Sequence, residues 1–139
     1  MFRVSIVCLA LVVFVGCQKK LPATIEGTVM LDGRALPEAA TTTGEVMFYP
    51  TGGGAAAYAP ILPGGKYAVS TGGSEGLATG EYKITVRVVE VEPEPPGGYI
   101  SPPGQKVISP ARYQDRDKSD LVRKVEPGKN TIDLDLTSK

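Results

Sequence analysis

Few side chains in this 139-residue chain can act as nucleophile, metal ligand or proton shuttle: it has two cysteines, no histidine and no tryptophan. Cys17 closes the run Leu11-Val12-Val13-Phe14-Val15-Gly16-Cys17 and is followed by Gln18-Lys19-Lys20. Upstream, Arg3 and the amino terminus precede an apolar stretch from Val4 to Gly16. A charged start, a short apolar core and a small residue before the cut are the marks of a secretory signal. As a helix this stretch reaches only about 20 Å, short of the ~30 Å hydrocarbon core, so a permanent span is the weaker reading. A buried core cysteine is weaker still, because no other stretch has the period of a helix able to pack beside it. Cleavage after Gly16 leaves Cys17 as the first mature residue and Cys8 in the discarded piece.

Gly16-Cys17, behind that apolar run, resembles the lipobox of bacterial lipoproteins. The resemblance implies that the Cys17 thiol takes diacylglycerol as a thioether. Cleavage between Gly16 and Cys17 then frees an amino group for a further acyl chain such as palmitate. Val7 is too bulky for Cys8 to serve instead. Phe14 departs from the Leu usual at its place, and a single Arg makes a thin charged region. At ~0.8 kcal/mol per buried CH₂ one acyl chain is a marginal anchor, whereas two or three hold stably. The membrane, reached through the lipid on Cys17, is thus an expected partner. Gln18 is not the Asp that commonly retains lipoproteins at the inner membrane, so the expected address in the cell envelope is the outer membrane or cell surface. A secreted chain cut without lipidation is the alternative.

Loss of residues 1–16 removes most of the familiar catalytic chemistry. With one cysteine left there is no intramolecular disulfide, and thiolate or imidazole zinc sites are excluded. Ser-His-Asp and Cys-His catalysis fall with histidine. No catalytic residue, metal or cofactor is therefore expected. Fifteen basic and fifteen acidic residues balance, which argues against a nucleic-acid partner, since that needs a clustered basic footprint.

The remaining candidates each have a plainer reading. Asp115-Arg116-Asp117-Lys118-Ser119-Asp120 alternates acids as a calcium loop does, but Asp120 and Glu126 stand where Gly and the bidentate acid belong, and Arg116 and Lys118 offset the charge. Gly52-Gly53-Gly54 and Gly72 to Gly76 lack the following helix and Lys of a phosphate loop and read as turns. Asn130, considered for an isopeptide bond, reads as a turn residue because the first strand carries no Lys. Paired carboxylates could run a carboxylate-only hydrolase, yet Glu45, Glu81, Asp133 and Asp135 fall at outward strand positions. Of Tyr58, Tyr67, Tyr82, Tyr99 and Tyr113, the second and third are in phase with core residues, with hydroxyls placed to cap backbone groups. Tyr99 and Tyr113, in or near a Pro-rich loop, are the candidate contact residues.

The elements that hold these residues are strands. Ile25, Gly27, Val29 and Leu31 alternate with polar neighbours, and Asp32-Gly33 turns the chain into Arg34-Ala35-Leu36. Val46 and Phe48 lie in a second strand stopped by Pro50, and Ala57 to Leu62 in a third, where Pro60 predicts a sheet edge. Lys66 to Thr71 is a fourth, followed by a loop from Gly72 to Thr79. Glu81 to Val91 is the longest, and its phase slips at Val89 through a bulge or an exit from the sandwich. Residues 93–111 form a long loop, Leu121 to Glu126 a strand, Pro127 to Asn130 a break, and Ile132 to Leu136 the last strand. The expected fold is all-β, a single seven-stranded sandwich over 24–139 behind a signal at 1–16 and a lipidated tether at 17–23.

Gly65-Lys66-Tyr67-Ala68-Val69 and Gly80-Glu81-Tyr82-Lys83-Ile84 each open a strand with an inward Tyr two residues after Gly. With Ile25-Glu26-Gly27-Thr28-Val29, Val46-Met47-Phe48-Tyr49-Pro50 and the tail from Ala111 to Leu136, they resemble the carboxypeptidase regulatory-like, transthyretin-type β-sandwich found in small bacterial lipoproteins. Enzymes of related fold need histidines that this chain lacks. The resemblance implies a fold and an export route without an activity. The expectation is a non-catalytic binding or structural module contacting an envelope protein or cell-wall glycan, with a carboxylate-only hydrolase or a Ca-dependent surface adhesion domain as alternatives.

Overall fold

The computed structural model describes residues 21–38, 41–98 and 101–139. Their strands are β1 (Ala23–Leu31), β2 (Arg34–Ala35), β3 (Thr42–Pro50), β4 (Ala57–Ile61), β5 (Lys66–Ala68), β6 (Ser70–Thr71), β7 (Ser74–Glu75), β8 (Gly80–Val91), β9 (Gln105–Val107), β10 (Val122–Val125), β11 (Gly128–Thr131) and β12 (Leu134–Leu136). One α-helical turn, α1 (Ala111–Gln114), lies between β9 and β10. The protein is all-β with two sheets. The smaller sheet sets β1 between β11 and β12 on one side and β2 and β5 on the other. The larger runs β10-β8-β3-β4-β6-β7, with β9 also on β8.

The alternation that predicts the strands also sets their inner faces. Ile25 and Val29 of β1, Val46 and Phe48 of β3, Tyr82, Ile84, Val86 and Val88 of β8, and Leu134 and Leu136 of β12 are all buried in one cluster. Phe48 sits at its middle, with the Tyr67 and Tyr82 rings 6.2 and 6.1 Å away. Both tyrosines are inward as expected, and both hydroxyls cap carbonyls: Tyr67 donates to Ile132 at 2.5 Å and Tyr82 to Ala78 at 2.8 Å. Burial, and then the Asp133 carboxylate, push the Tyr67 hydroxyl well above the usual phenol range. Asp32-Gly33 makes the expected two-residue hairpin, with φ of 51° and 72° and Leu31 opposite Arg34.

Among the described residues twelve strand segments replace the seven or so expected: β2 is the hairpin return, β9 lies in the expected long loop, and three further differences supply the rest. The expected strand Lys66 to Thr71 changes sheets. Lys66–Ala68 pairs with β1, whereas Ser70 pairs with Tyr58 across the corner. Buried Val69 holds that corner, donating its N–H to Ile25 at 3.0 Å and accepting from Gly76 at 2.8 Å. The next loop carries its own hairpin, β6 to β7, around Gly72-Gly73. At the end of the chain, the break expected over Pro127 to Asn130 is partly strand, because Gly128 to Thr131 pairs in parallel with Ala23 to Glu26.

Two further expectations are resolved by register. β3 and β8 pair without a slip from Thr42↔Glu90 to Pro50↔Tyr82. The phase change at Val89 is therefore no bulge: Val88 and Val89 are both buried, one on each face of the strand. Pro60 pairs with Glu45 on β3, while the only β4 residue paired on the other side is Tyr58. Pro60 thus occupies a local edge inside a strand that is not the sheet's last.

The loop expected over 93–111 contains β9, and the chain beyond it, α1 included, stays alongside β8. Two buried serines bridge the gap. The Val88 N–H donates to Ser109 Oγ at 3.0 Å, and Ser119 Oγ donates to the Ile84 carbonyl at 2.5 Å while accepting from Leu121 N–H at 3.3 Å. Side chains here do the work of a missing strand partner. Ser119→Ala should leave the Ile84 carbonyl unpaired and cost about 1–3 kcal/mol. A urea midpoint equal to that of the wild type would contradict this role.

Candidate functional site

The strand directions give the domain two poles. β1 and β8 both start at one of them. There Gly128 N–H donates to Pro22 at 2.9 Å, Ala23 and Leu77 exchange backbone bonds of 3.3 and 2.9 Å, and Thr51 N–H donates to Glu81 at 2.9 Å. Gly80 of β8 pairs with Val125 of β10 at this same end. The chain therefore joins the domain at this proximal pole. β8 leaves it and, over twelve residues, climbs roughly 36 Å at ~3.3 Å per residue.

At the distal pole β8 outruns the core. Glu90 stands opposite Lys106 of β9, and Val91 N–H donates to Thr41 at 2.7 Å. The loop closes reciprocally: Glu92 N–H donates to the Gly104 carbonyl at 3.0 Å, and Gly104 N–H donates to Glu92 Oε2 at 3.2 Å. Thr41, the strand end Glu90 to Pro93 and the returning Gly104 to Lys106 enclose a groove of about 630 Å³. It combines apolar Val91 and Pro93 with two carboxylates and an ammonium. Val107 beside it is an exposed apolar side chain.

The expected contact residues fare differently. Tyr113 is 3% exposed and packs in the core cluster, so it is corrected from a contact residue to a packing one. Its helical turn tips the ring inward. The Arg112 guanidinium lies 4.6 Å over that ring, and the Tyr113 hydroxyl accepts from Arg112 at 2.8 Å and from Thr137 N–H at 3.2 Å. Burial pushes this hydroxyl up, but the bonds from Thr137 and Arg112 outweigh it and bring it below the usual phenol value. Tyr99, Gly16 and Cys17 lie outside the described residues.

Arg112 also donates to the Thr137 carbonyl at 2.6 Å, to Thr137 Oγ1 and to the Lys139 carbonyl. On the other side of the tail, Ser138 N–H and Oγ donate to the two oxygens of Asp32 at 2.8 and 2.7 Å. Those bonds hold the Asp32 carboxyl below the usual range, the backbone one contributing most. A lowered folded-state value means that the clasp stabilises the domain above the unfolded carboxyl's pKa and is lost as pH falls through the folded one. Ser138→Ala removes the hydroxyl bond and keeps the backbone one, so it should move the Asp32 titration upward only part of the way back, followed by NMR of the side-chain carboxyl. An unshifted titration would show that the hydroxyl bond is idle.

Glu45, Glu81, Asp133 and Asp135 do not form a common centre. Glu81 is exposed and takes the Thr51 hydroxyl at 3.3 Å. Asp133 and Asp135 accept backbone N–H groups from Thr28 and Gly33, each at 2.9 Å. Glu45 lies opposite Arg87 in the β3–β8 ladder. In the Asp115 to Asp120 loop, Asp115 accepts from Asp117 N–H at 2.8 Å and pairs with Lys118 at 3.5 Å, and Ser119 is turned inward. No three His, Cys, Asp or Glu side chains converge among the described residues. Asn130 ties its own turn, accepting from Glu126 N–H at 3.0 Å and donating to the Glu126 carbonyl at 2.8 Å. Among the described residues no helix is long and apolar enough to cross a membrane.

The distal groove was not legible in the sequence. Its only signal is the phase slip at Val89 followed by the Pro-rich loop, which marks where a strand leaves its core. Comparison of the chain with protein-family models, curated proteins and solved structures gives no match.

Proposed function

We propose that this protein is a lipid-anchored, non-catalytic module of the cell envelope. Its fold on this reading is a sandwich of transthyretin type, in which the extra segments are the corner at Val69 and the hairpin beyond it. Cys17 carries the lipid, and the domain presents its distal groove and Pro-rich loop to an envelope protein or cell-wall glycan. The observation that carries the reading is polarity. The chain emerges from its tether at one pole, and the Pro-rich loop and the groove of about 630 Å³ lie at the other, roughly 36 Å away along β8. A membrane-held domain built this way puts its irregular, most exposed chain farthest from the lipid, where a partner can reach it.

The contrasting reading, hydrolysis by carboxylates alone, needs two carboxyl groups converging at about 5 to 9.5 Å in one pocket. Glu81, Asp133 and Asp135 hold separate contacts and Glu45 lies opposite Arg87, and of the pair Glu90 and Glu92 in the groove, Glu92 is engaged by the Gly104 N–H.

The test is site-specific photo-cross-linking on intact cells, with the reactive group at Gln105 in the groove or at Arg87 on the face of the larger sheet. Adducts confined to Gln105, to a protein or to glycan fragments, are the expected result. Adducts equally abundant from Arg87, or none from Gln105, would remove the distal pole as the working surface.

A further inference from the structure

Strand β9, at the rim of the distal groove, is a sheet edge. It pairs with β8 through Val89↔Val107, Glu90↔Lys106 and Val91↔Gln105, and among the described residues no strand flanks its other side. β10 lies on the same side of β8, but its ladder ends at Val122↔Lys83. Bond direction tells which β9 groups are spent. Glu92 N–H donates to the Gly104 carbonyl at 3.0 Å and Ile108 N–H to the Val88 carbonyl at 2.9 Å, so Gly104, Lys106 and Ile108 turn their backbone groups toward β8. Gln105 and Val107 therefore turn theirs away from it. No backbone bond from another described segment reaches either residue, and all three β9 residues are exposed.

We propose that β9 accepts an extended segment of a protein partner as an added antiparallel strand, with an acidic residue opposite Lys106 and an apolar one opposite Val107. The proposal rests on the distal pole as the binding surface and narrows its partner from protein or glycan to protein. The outward N–H and carbonyl groups of Gln105 and Val107 repeat at ~6.8 Å, the two-residue repeat of an extended peptide. Such a peptide answers each donor and acceptor in turn, and a glycan has no matching row. Every pair in the larger sheet is antiparallel, and the added strand continues that pattern. Side chains set the preferences. A residue opposite Lys106 sits one strand spacing, ~4.8 Å, from it and two spacings from Glu90, so a negative charge is favoured there. No ion pair among the described residues occupies Lys106. On the other face Val107 is 40% exposed beside buried Val89, and an apolar side chain on the added strand extends that row. A second copy of this chain fits less well, because the register that uses both outward residues of each copy sets Lys106 against Lys106. Pro102-Pro103 and Pro110 bound the edge and keep the added strand short.

The full protein, held in detergent micelles, is panned against random linear peptides displayed on phage, and the enriched peptides, made synthetically, are the probe. They should share an acidic residue next to an apolar one. Val107→Pro removes an outward N–H but no bond to β8, a change that an edge strand tolerates, and should weaken peptide binding at least about tenfold. Val107→Thr keeps that N–H and should retain binding. Lys106→Glu should reverse the preference, losing the acidic peptides and gaining their Lys counterparts. In amide exchange followed by NMR, Gln105 and Val107 should be unprotected in the free protein and slow at least about tenfold with peptide bound, whereas Lys106 is slow in both states. The exchange and charge-reversal measurements decide even where Val107→Pro proves too unstable to assay. No enrichment over empty micelles, equal binding by Val107→Pro and the wild type, or amides at 105 and 107 unchanged by peptide would each overturn the proposal. Glycan adducts alone from Gln105 on intact cells would overturn it while sparing the distal pole, and no adducts there would remove the pole as well.

Discussion

Gly27→Ala is expected to destabilise the domain by about 3–5 kcal/mol, the sum of overpacking and a buried carbonyl left without a partner. Gly27 is opposite Tyr67 on β5 and beside Ile132, in the short link between β11 and β12. A methyl group there would lie 1.9 Å from the Ile132 carbonyl oxygen and 3.0 Å from the Tyr67 ring. That oxygen cannot retreat freely. The Ile132 peptide is turned inward, its carbonyl taking the Tyr67 hydroxyl at 2.5 Å. The ladder position it vacates is filled by the Asp133 carboxylate, which accepts Thr28 N–H at 2.9 Å. Room for one carbon therefore requires that link to leave β1 and both substitute bonds to open. Against a total of about 5–15 kcal/mol for a small domain, the loss is large. Gly53→Ala is the control: φ is +85° but nothing lies within 4 Å, so it should cost only about 1 kcal/mol. Urea denaturation of the two variants decides the matter. Equal midpoints would mean that crowding at Ile132 is not what Gly27 serves.

Cys17→Ser is expected to lower membrane partitioning by at least about 100-fold. Each acyl chain contributes roughly 0.8 kcal/mol per buried CH₂, and one chain alone binds with a constant of only about 10⁴ M⁻¹. A serine hydroxyl is no thiolate, so residue 17 would receive no thioether-linked lipid, and no helix among the described residues is long and apolar enough to cross a membrane. Detergent-phase separation reads the partitioning, and mass spectrometry of the native amino terminus reads the modification. An unmodified residue 17 in the native protein, or a variant that partitions like the wild type, would defeat the lipoprotein reading.

Legibility in the sequence followed the range of the interaction. The hairpin at Asp32-Gly33 depends on two adjacent residues that tolerate positive φ, and it formed where expected. The inward phase of Tyr82 through Val88 depends on period two alone, and it held along the strand. The corner at Val69 did not show, because an unbroken run of strand-forming residues has no local mark where it changes sheets. The serines at 109 and 119 looked like loop polars. Their importance comes from the Val88 and Ile84 backbone groups opposite, which only the packed structure brings to them. Tyr113 was misplaced for a related reason: a tyrosine near a Pro-rich loop looks exposed until a helical turn, invisible to periodicity at four residues, rotates it into the core.

The sequence by itself determined the chemical inventory and the strand phases. A chain without histidine, with one cysteine beyond its signal-like segment, excludes whole classes of catalysis wherever its atoms lie, and alternation dictates an inner and an outer face before any partner strand is chosen. The tertiary structure alone decided which strands are neighbours. The first and last pair in parallel over a separation of about a hundred residues, and that choice, made by long-range packing around Phe48, sets the start of the described chain at one pole and the groove at the other.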